Sequence, residues 1–577
     1  MTLRPRTLLL LSALALAAGS RALAETARCE AAQLVLDNGS VRAVASWAGP
    51  AGRLALTTDS LAPAGDAGNF LAREAPSFRL LADGLAVDGS GPWSAVRCEP
   101  AREERQGEGA TLVLTASGAA ARPVDVRVTY LLYPGLPVVR KRLAVRNAGT
   151  ADLRLEGVEV ERLHTALDVT HTWTMASYGR QKRVGPYAGD WDDTVVTLHQ
   201  ATNGRGIVLG NEAPGVLKRT TAFLDGHTAT IGLTRPQDPF PFRRWLKPGE
   251  TWESPWVFVA PYAGTNDPYA ALNGPVNAFV RRHMGVRLAE AKRKPVLVYN
   301  TWMHWSPSQE QVAEAPLREL AQAASECGAE EFVIDAGWYA LDASSPPGGA
   351  NADDWMVRVG DYRPDPSRFP NGLGPVFDHV RSLGMRPGLW ISLATANHRS
   401  KVFREHPEWF VRDDEGRPVN LHEEPDPANA RTPDLATACM ATGWSDYIGG
   451  KILDLVERHG LAYAKLDLSM VTSAYRYDPA TSGCRAKGHP GHRDREESLG
   501  AIYEGAYALF DRLHERAPEL FIDCTFQTMG KLQVGRSRFR ATTLKRYDSA
   551  ETGVATASAR AAVAPRDAVL VLILAPP

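Results

Sequence analysis

The feature that most constrains this 577-residue chain is a change of hydrophobic period near Pro295. Before it, apolar residues recur at every second position in short runs closed by Gly, Pro, Asn and Asp. Val124-Asp125-Val126-Arg127-Val128-Thr129-Tyr130 alternates in this way, and the apolar pieces Leu143-Ala144-Val145 and Leu153-Arg154-Leu155 flank the turn Asn147-Ala148-Gly149. Successive side chains on a strand face opposite sides of a sheet, so this alternation marks strands with one buried face. Its repetition from Glu25 to Met284 predicts a large antiparallel β-sandwich. Between Ala270 and His283 the period turns helical, and Lys292-Arg293-Lys294-Pro295 marks a charged junction.

After Pro295 compact apolar runs alternate with long helical segments. The expected strands are Val296 to Trp302, Glu331 to Trp338, Arg386 to Leu393, Leu461 to Leu468 and Glu519 to Phe526. Ser308 with Gln311 has the form of a capping box that opens the first helix, and Gly328 stands where that helix must stop. Such alternation requires a parallel sheet with crossover helices, and its spacing suits a (β/α)8 barrel, in which chemistry sits at the C-terminal strand ends. The expected organisation is a signal peptide at 1–24, the sandwich at 25–284, the barrel at 285–533 and an atypical tail at 534–577. Five strands are found by Phe526, and only 51 residues follow, where three more β/α units need roughly 90. The barrel therefore reads as incomplete. Arg536, Arg538, Arg540 and Arg546 lead into an Ala/Thr/Ser-rich stretch and an apolar run from Ala568 to Ala575, a break in pattern that predicts a disrupted frame or truncated gene shortly after Gln533.

The formal charge of -1 and pI near 6.9 exclude the basic excess that nucleic acid or an anionic membrane surface requires. Arg4 and Arg6 precede an apolar run from Leu8 to Ala18, and Ala22-Leu23-Ala24 supplies a cleavage site, the order of a secretory signal. That run is shorter than the roughly 20 apolar residues of a membrane span. The mature protein is expected to be exported, periplasmic or extracellular, with no membrane span. None of Cys29, Cys98, Cys327, Cys439, Cys484 and Cys524 forms a CxxC pair, so no structural zinc site is expected. Disulfides between Cys29 and Cys98 or between Cys439 and Cys484 are both open.

The strand ends read Trp302-Met303-His304-Trp305, Asp335-Ala336-Gly337-Trp338, Leu389-Trp390, Lys465-Leu466-Asp467 and Asp523-Cys524. Indole faces pack against the C–H patches of a sugar ring, while carboxylates and lysine hydrogen-bond its hydroxyls. Asp467 is the candidate nucleophile of a retaining glycosidase; Lys465, two positions back on the same side of the strand, would favour its ionised form. A structural ion pair at the barrel mouth is the alternative. Asp523 reads as a support for the pocket. His304 reads equally as a sugar ligand or a structural histidine, His422, Glu423 and Glu424 as a solvated loop, and His489 to Glu497 as a loop or helix start without metal-ligand spacing.

Phe332-Val333-Ile334-Asp335-Ala336-Gly337-Trp338-Tyr339 resembles the strand-two motif of melibiase-type α-galactosidases, commonly FVLDDGWF. Gly360-Asp361-Tyr362 with Phe369-Pro370-Asn371-Gly372-Leu373, then Gly384 to Trp390 and His406-Pro407-Glu408-Trp409, are similar to further motifs of that family in the family's order. Tyr463-Ala464-Lys465-Leu466-Asp467 resembles its YIKWD, where the nucleophile lies. Tyr133-Pro134, Arg140 and Leu246 to Glu250 are weaker echoes of its N-terminal domain. The resemblance implies double displacement on terminal α-galactosidic or closely related α-linked sugars of an oligosaccharide or glycoconjugate, with no metal and no cofactor. It places substrate-binding roles on Asp335, Trp338, Asp361, Trp390, Arg431, Lys465 and Cys524, and Asp548 falls near the spacing of the acid/base. Ala336 replaces the second Asp of DDGW, Leu466 the Trp of KWD and Ser469 a following Asn. These departures keep open an α-N-acetylgalactosaminidase-like specificity, and the incomplete C-terminal end, where the acid/base would lie, keeps open a sugar-binding relic impaired in catalysis. A homo-oligomer is compatible with the sequence.

Overall fold

The computed structural model describes residues 26–284, 297–302, 312–345, 355–420, 434–467, 482–524, 549–550 and 570–571, with short breaks in the first span at 49–52, 74, 92, 118–121, 170, 177–178, 190–192, 194 and 224–226. The N-terminal half is built from antiparallel sheets of five, ten and six strands. In the strand Val124–Tyr133 the residues Val124, Val126, Val128 and Tyr130 are buried while Asp125, Arg127 and Thr129 are not, the outcome expected of the alternating pattern.

The turn Asn147-Ala148-Gly149 does more than join two neighbours. It carries the chain from Leu136–Asn147 in the ten-stranded sheet to Leu153–His164 in the six-stranded one. Asn147 holds this corner: its Nδ2 donates to the Ala151 and Leu246 carbonyls at 2.8 and 2.9 Å, and its Oδ1 accepts from Gly149 N at 2.9 Å. Arg140 and Tyr133 also belong to the sandwich frame. The Arg140 guanidinium forks onto Glu212 with two bonds of 2.7 Å, and the Tyr133 hydroxyl donates to Glu103 at 2.6 Å. Cys29 and Cys98 form a disulfide, whereas Cys439 and Cys484 are free thiols, so the second of the two expected pairings is not made.

A π-helical turn at Leu272–Val276 runs into the helix Asn277–His283, and the C-terminal half follows. Its five main strands, Leu297–Asn300, Glu331–Ile334, Arg386–Ser392, Tyr463–Asp467 and Phe521–Cys524, lie side by side in chain order and pair in parallel. Two further pairs of residues extend the sheet at its outer edges, Leu570–Val571 beside the first strand and Ser549–Ala550 beside the fifth. Both come from the segment expected to be an atypical tail. Among the described residues the parallel sheet thus has seven members, an incomplete barrel.

The helix Glu314–Glu326 buries Leu317, Ala321 and Ala324 along one face. It starts from Ala313 without a side-chain cap, later than the Ser308 capping box, which lies outside the described residues. Its end is as expected: Gly328, two residues beyond, adopts φ 81°. The polar run from His489 to Glu497 is a helix start. Asp494 caps the helix Arg495–Arg516 by accepting from Glu497 N at 3.0 Å. The sandwich docks on this same end: Trp245 Nε1 donates to Asp494 at 2.8 Å, and Arg243 pairs with Asp494 and Glu496 at 3.1 and 3.0 Å.

Candidate active site

The fourth barrel strand ends on Asp467, and its neighbour fixes the backbone there. Ser392 pairs with Asp467 in register, and Leu393 N donates to the Asp467 carbonyl at 2.7 Å. Asp467 Oδ2 accepts from the Trp390 indole Nε1 at 2.9 Å. Trp338 Nε1 in turn donates to the Trp390 carbonyl at 2.9 Å. Three strand ends are thereby linked to one carboxylate, which stays partly exposed at the rim.

Lys465 makes its ion pair across the sheet. Its Nζ donates to Asp335 Oδ2 at 2.9 Å, while Asp335 Oδ1 accepts from Ala336 N at 2.8 Å. Asp335 and Lys465 are only 3% and 7% exposed. The ion pair thus ties the second strand to the fourth and holds both charges beside Asp467. Ala336, where the resemblance leads one to look for a second carboxylate, is buried.

Trp338 and Trp390, expected to offer open faces to a sugar, are 0% and 1% exposed. Trp390 stacks on Tyr339 with centroids 5.8 Å apart and takes the edge of Trp355 at 5.2 Å. Both indoles therefore position other groups by packing and through their N–H. The half-buried rings are Trp355 and Trp302, which meet edge to face at 5.7 Å. Trp355 escaped sequence reasoning because it sits on a short helical turn, Trp355–Arg358, rather than at a strand end.

Asp361 is also placed differently. Its oxygens accept from Lys401 N and Val402 N at 3.0 and 3.1 Å, at the start of the short helix Lys401–Glu405 where amides lack helical partners, and from Asp342 N at 2.9 Å. It lines a separate cleft of about 460 Å³ with Lys401, Tyr447 and Lys451; none of Asp335, Lys465 and Asp467 borders that cleft. The next residue, Tyr362, turns back toward the strand ends: it adopts φ 48°, donates to the Ser392 carbonyl at 3.1 Å and accepts from Ser392 N at 3.0 Å. Burial pushes its phenol well above the ordinary range. Asp523 accepts from the Tyr463 hydroxyl at 2.6 Å, deeper in the sheet, as a supporting residue should. The backbone of Cys524 pairs with Leu466. Arg431, Asp548, His304 and the acidic group at His422 lie outside the described residues.

The melibiase family model matches residues 251–545, just over half of the chain, and so runs through 534–545 as well as the barrel. An α-galactosidase from Escherichia coli is 28% identical over 283 residues, which are 48% of this chain and 33% of that relative. A probable α-galactosidase C from Aspergillus flavus is 25% identical over 427 residues, 69% of this chain and 51% of its own length. The chain thus spans a third to a half of the length of these two relatives. Among solved structures, the α-galactosidase from Lactobacillus brevis superposes with TM-score 0.69 at 16% identity, covering 91% of this chain and 73% of the other. A variant of the α-galactosidase AgaA from Geobacillus stearothermophilus, solved in complex with raffinose, gives 0.65 at 17%, covering 90% and 75%. With its motifs in family order on the ends of parallel strands and the family match spanning the barrel, the chain belongs to the melibiase family of glycoside hydrolases.

Proposed function

We propose that this chain is an exported, retaining α-galactosidase that removes terminal α-linked galactose or a closely related sugar from oligosaccharides. The observation that carries the reading is the carboxylate of Asp467, held by an indole N–H at the C-terminal end of a barrel strand beside the buried Lys465–Asp335 pair. In this mechanism an Asp467 oxygen bonds to the anomeric carbon as the glycosidic C–O bond breaks, and the departing oxygen takes a proton from an acid, the role proposed for Asp548. Water then attacks the same carbon, gives its proton to that residue and releases Asp467, so the sugar keeps its configuration. The ammonium donor of Lys465, the carboxylate acceptor of Asp335 and the half-buried rings of Trp302 and Trp355 suit a pyranose at this rim. The raffinose bound to the Geobacillus relative supports an oligosaccharide as substrate, and the Cys29–Cys98 disulfide supports export.

The buried Ala336 favours a second reading on specificity. With no carboxylate at that position, one set of directed hydrogen bonds to sugar hydroxyls is lost, which favours a sugar other than galactose itself, such as an N-acetylated one. The test is hydrolysis of melibiose and raffinose against the N-acetylgalactosaminide analogues, with product configuration followed by NMR from the first turnovers. Retained configuration, abolished in Asp467→Asn, is expected. Binding of these sugars without turnover would instead identify a sugar-binding relic. N-terminal sequencing of the exported protein should begin at Glu25.

A further inference from the structure

Outside the active site, four side chains converge that sequence spacing had separated. Cys439 follows the strand Leu435–Thr437 and precedes the helix Trp444–His459; Cys484, His489 and His492 lie on the segment that enters the helix Arg495–Arg516. All four are buried, with exposures of 0%, 0%, 8% and 4%. One ligand atom from each lies within 4.8 Å of every other. We propose that Cys439, Cys484, His489 and His492 form a tetrahedral structural zinc site that pins the segment after the Asp467 strand to the loop before the Trp444–His459 helix.

The distances carry this assignment. Zinc binds thiolate sulfur at about 2.3 Å and imidazole nitrogen at about 2.0 Å, so tetrahedral angles place sulfur and nitrogen about 3.5 Å apart and two nitrogens about 3.3 Å apart. Here Cys439 Sγ lies 3.7 Å from His492 Nε2, Cys484 Sγ 3.6 Å from His489 Nδ1, and the two nitrogens are 3.1 Å apart. Two thiolates balance the charge of one divalent zinc, so the filled site is neutral and compatible with burial. A mixed pair of sulfur and nitrogen ligands in tetrahedral array selects zinc among common divalent ions.

The surroundings are those of a metal-bound thiolate pair. Arg412 N donates to Cys484 Sγ at 3.4 Å, and the Ala441 backbone N–H donates to Cys439. Such N–H···S bonds orient and stabilise bound sulfur. His489 Nε2 and His492 Nδ1 are buried without hydrogen-bond partners among the described residues, so the rings are oriented from the centre of the cluster. Gly491 permits the close fit: a Cβ there would meet the Ala441 carbonyl oxygen at 2.4 Å.

The rival arrangement is a Cys439–Cys484 disulfide, which an oxidising compartment would favour in a zinc-free chain. The test is zinc analysis of the full chain purified without affinity metal, alongside its intact mass under denaturing conditions and the reaction of its thiols with an alkylating reagent. One zinc per chain is expected, with Cys439 and Cys484 unreactive until a chelator removes the metal and lowers Tm. His492→Cys should keep the zinc, and His492→Ala should lose it. A zinc-free, folded chain would overturn the proposal, whether Cys439 and Cys484 are joined by a disulfide or both alkylated without chelator. So would zinc that persists in both His492→Ala and Cys484→Ser.

Discussion

The two halves of the molecule each bury a lysine against a carboxylate, and the difference between these pairs separates folding from function. In the sandwich, Lys141 Nζ donates to Ser77 O, Ser77 Oγ and Glu161 Oε1 at 2.6, 2.7 and 2.9 Å, matching the three protons of an ammonium. Burial pulls its pKa down and pushes that of Glu161 up, while attraction between the two opposes both shifts. Nothing reaches this pair from outside; Lys141 is 0% exposed. In the barrel, the Lys465–Asp335 pair has the same chemistry but stands at strand ends, with the partly exposed Asp467 two residues on. One pair completes a core, and the other shapes a rim.

The largest expected effect breaks the comparison at Asp467. Asp467→Asn should lower kcat by about 10⁴-fold or more while leaving Tm close to the parent, because the amide keeps the shape and loses the nucleophile. Steady-state assays with thermal melts check this. Next come the lysines. Lys141→Met leaves Glu161 buried alone and should cost about 3–5 kcal/mol in urea unfolding, with kcat unchanged in whatever remains folded. Lys465→Met should lose both stability and activity. The sharper contrast lies in the double replacements: Lys141→Met with Glu161→Leu should recover most of the stability, whereas Lys465→Met with Asp335→Leu should recover no activity. Recovery of turnover there would show that the barrel pair, like the sandwich pair, serves only the fold.

Smaller effects map the aromatic support. Trp390→Phe retains most of the packing and removes the N–H donated to Asp467, a bond to a charged group worth about 1.5–3 kcal/mol, so kcat should fall about 10–100-fold with KM little changed. Trp355→Ala removes a half-buried ring. If that ring faces the sugar, KM should rise about tenfold at most, in line with an aromatic contact of about 1 kcal/mol. An unchanged KM would assign Trp355 to the packing of Trp390 instead.

Much of this is legible in the sequence. Four of the five parallel strands fall within two residues of where apolar runs placed them, and the second starts at Glu331 as expected but ends at Ile334, four residues early, because a run buried on both faces needs no partner to be recognised while its end is set by the turn that follows. Asp467 and Asp335 follow, since the strand end dictates their place. The indoles differ from expectation for a reason of packing: an apolar ring at a strand end can face the rim or the interior, and only the neighbouring rings Tyr339 and Tyr362 decide that Trp338 and Trp390 turn inward. The partners of Asp361 were hidden for another reason. Its carboxylate is claimed by amides of a helix start that follows it by forty residues.

By itself, then, the sequence determined the two-part architecture, the order of parallel strands and the place of Asp467 at a strand end, all consequences of local period and of one strand's end. Tertiary structure alone decided the partners: Lys465 with Asp335, the Asn147 turn as a crossing between sheets, and Cys439 beside Cys484, His489 and His492. The ion pair and the cysteine–histidine cluster join segments far apart in the chain, and the turn sends neighbouring strands into different sheets; both outcomes are set by how the sheets and helices pack, which no local spacing encodes.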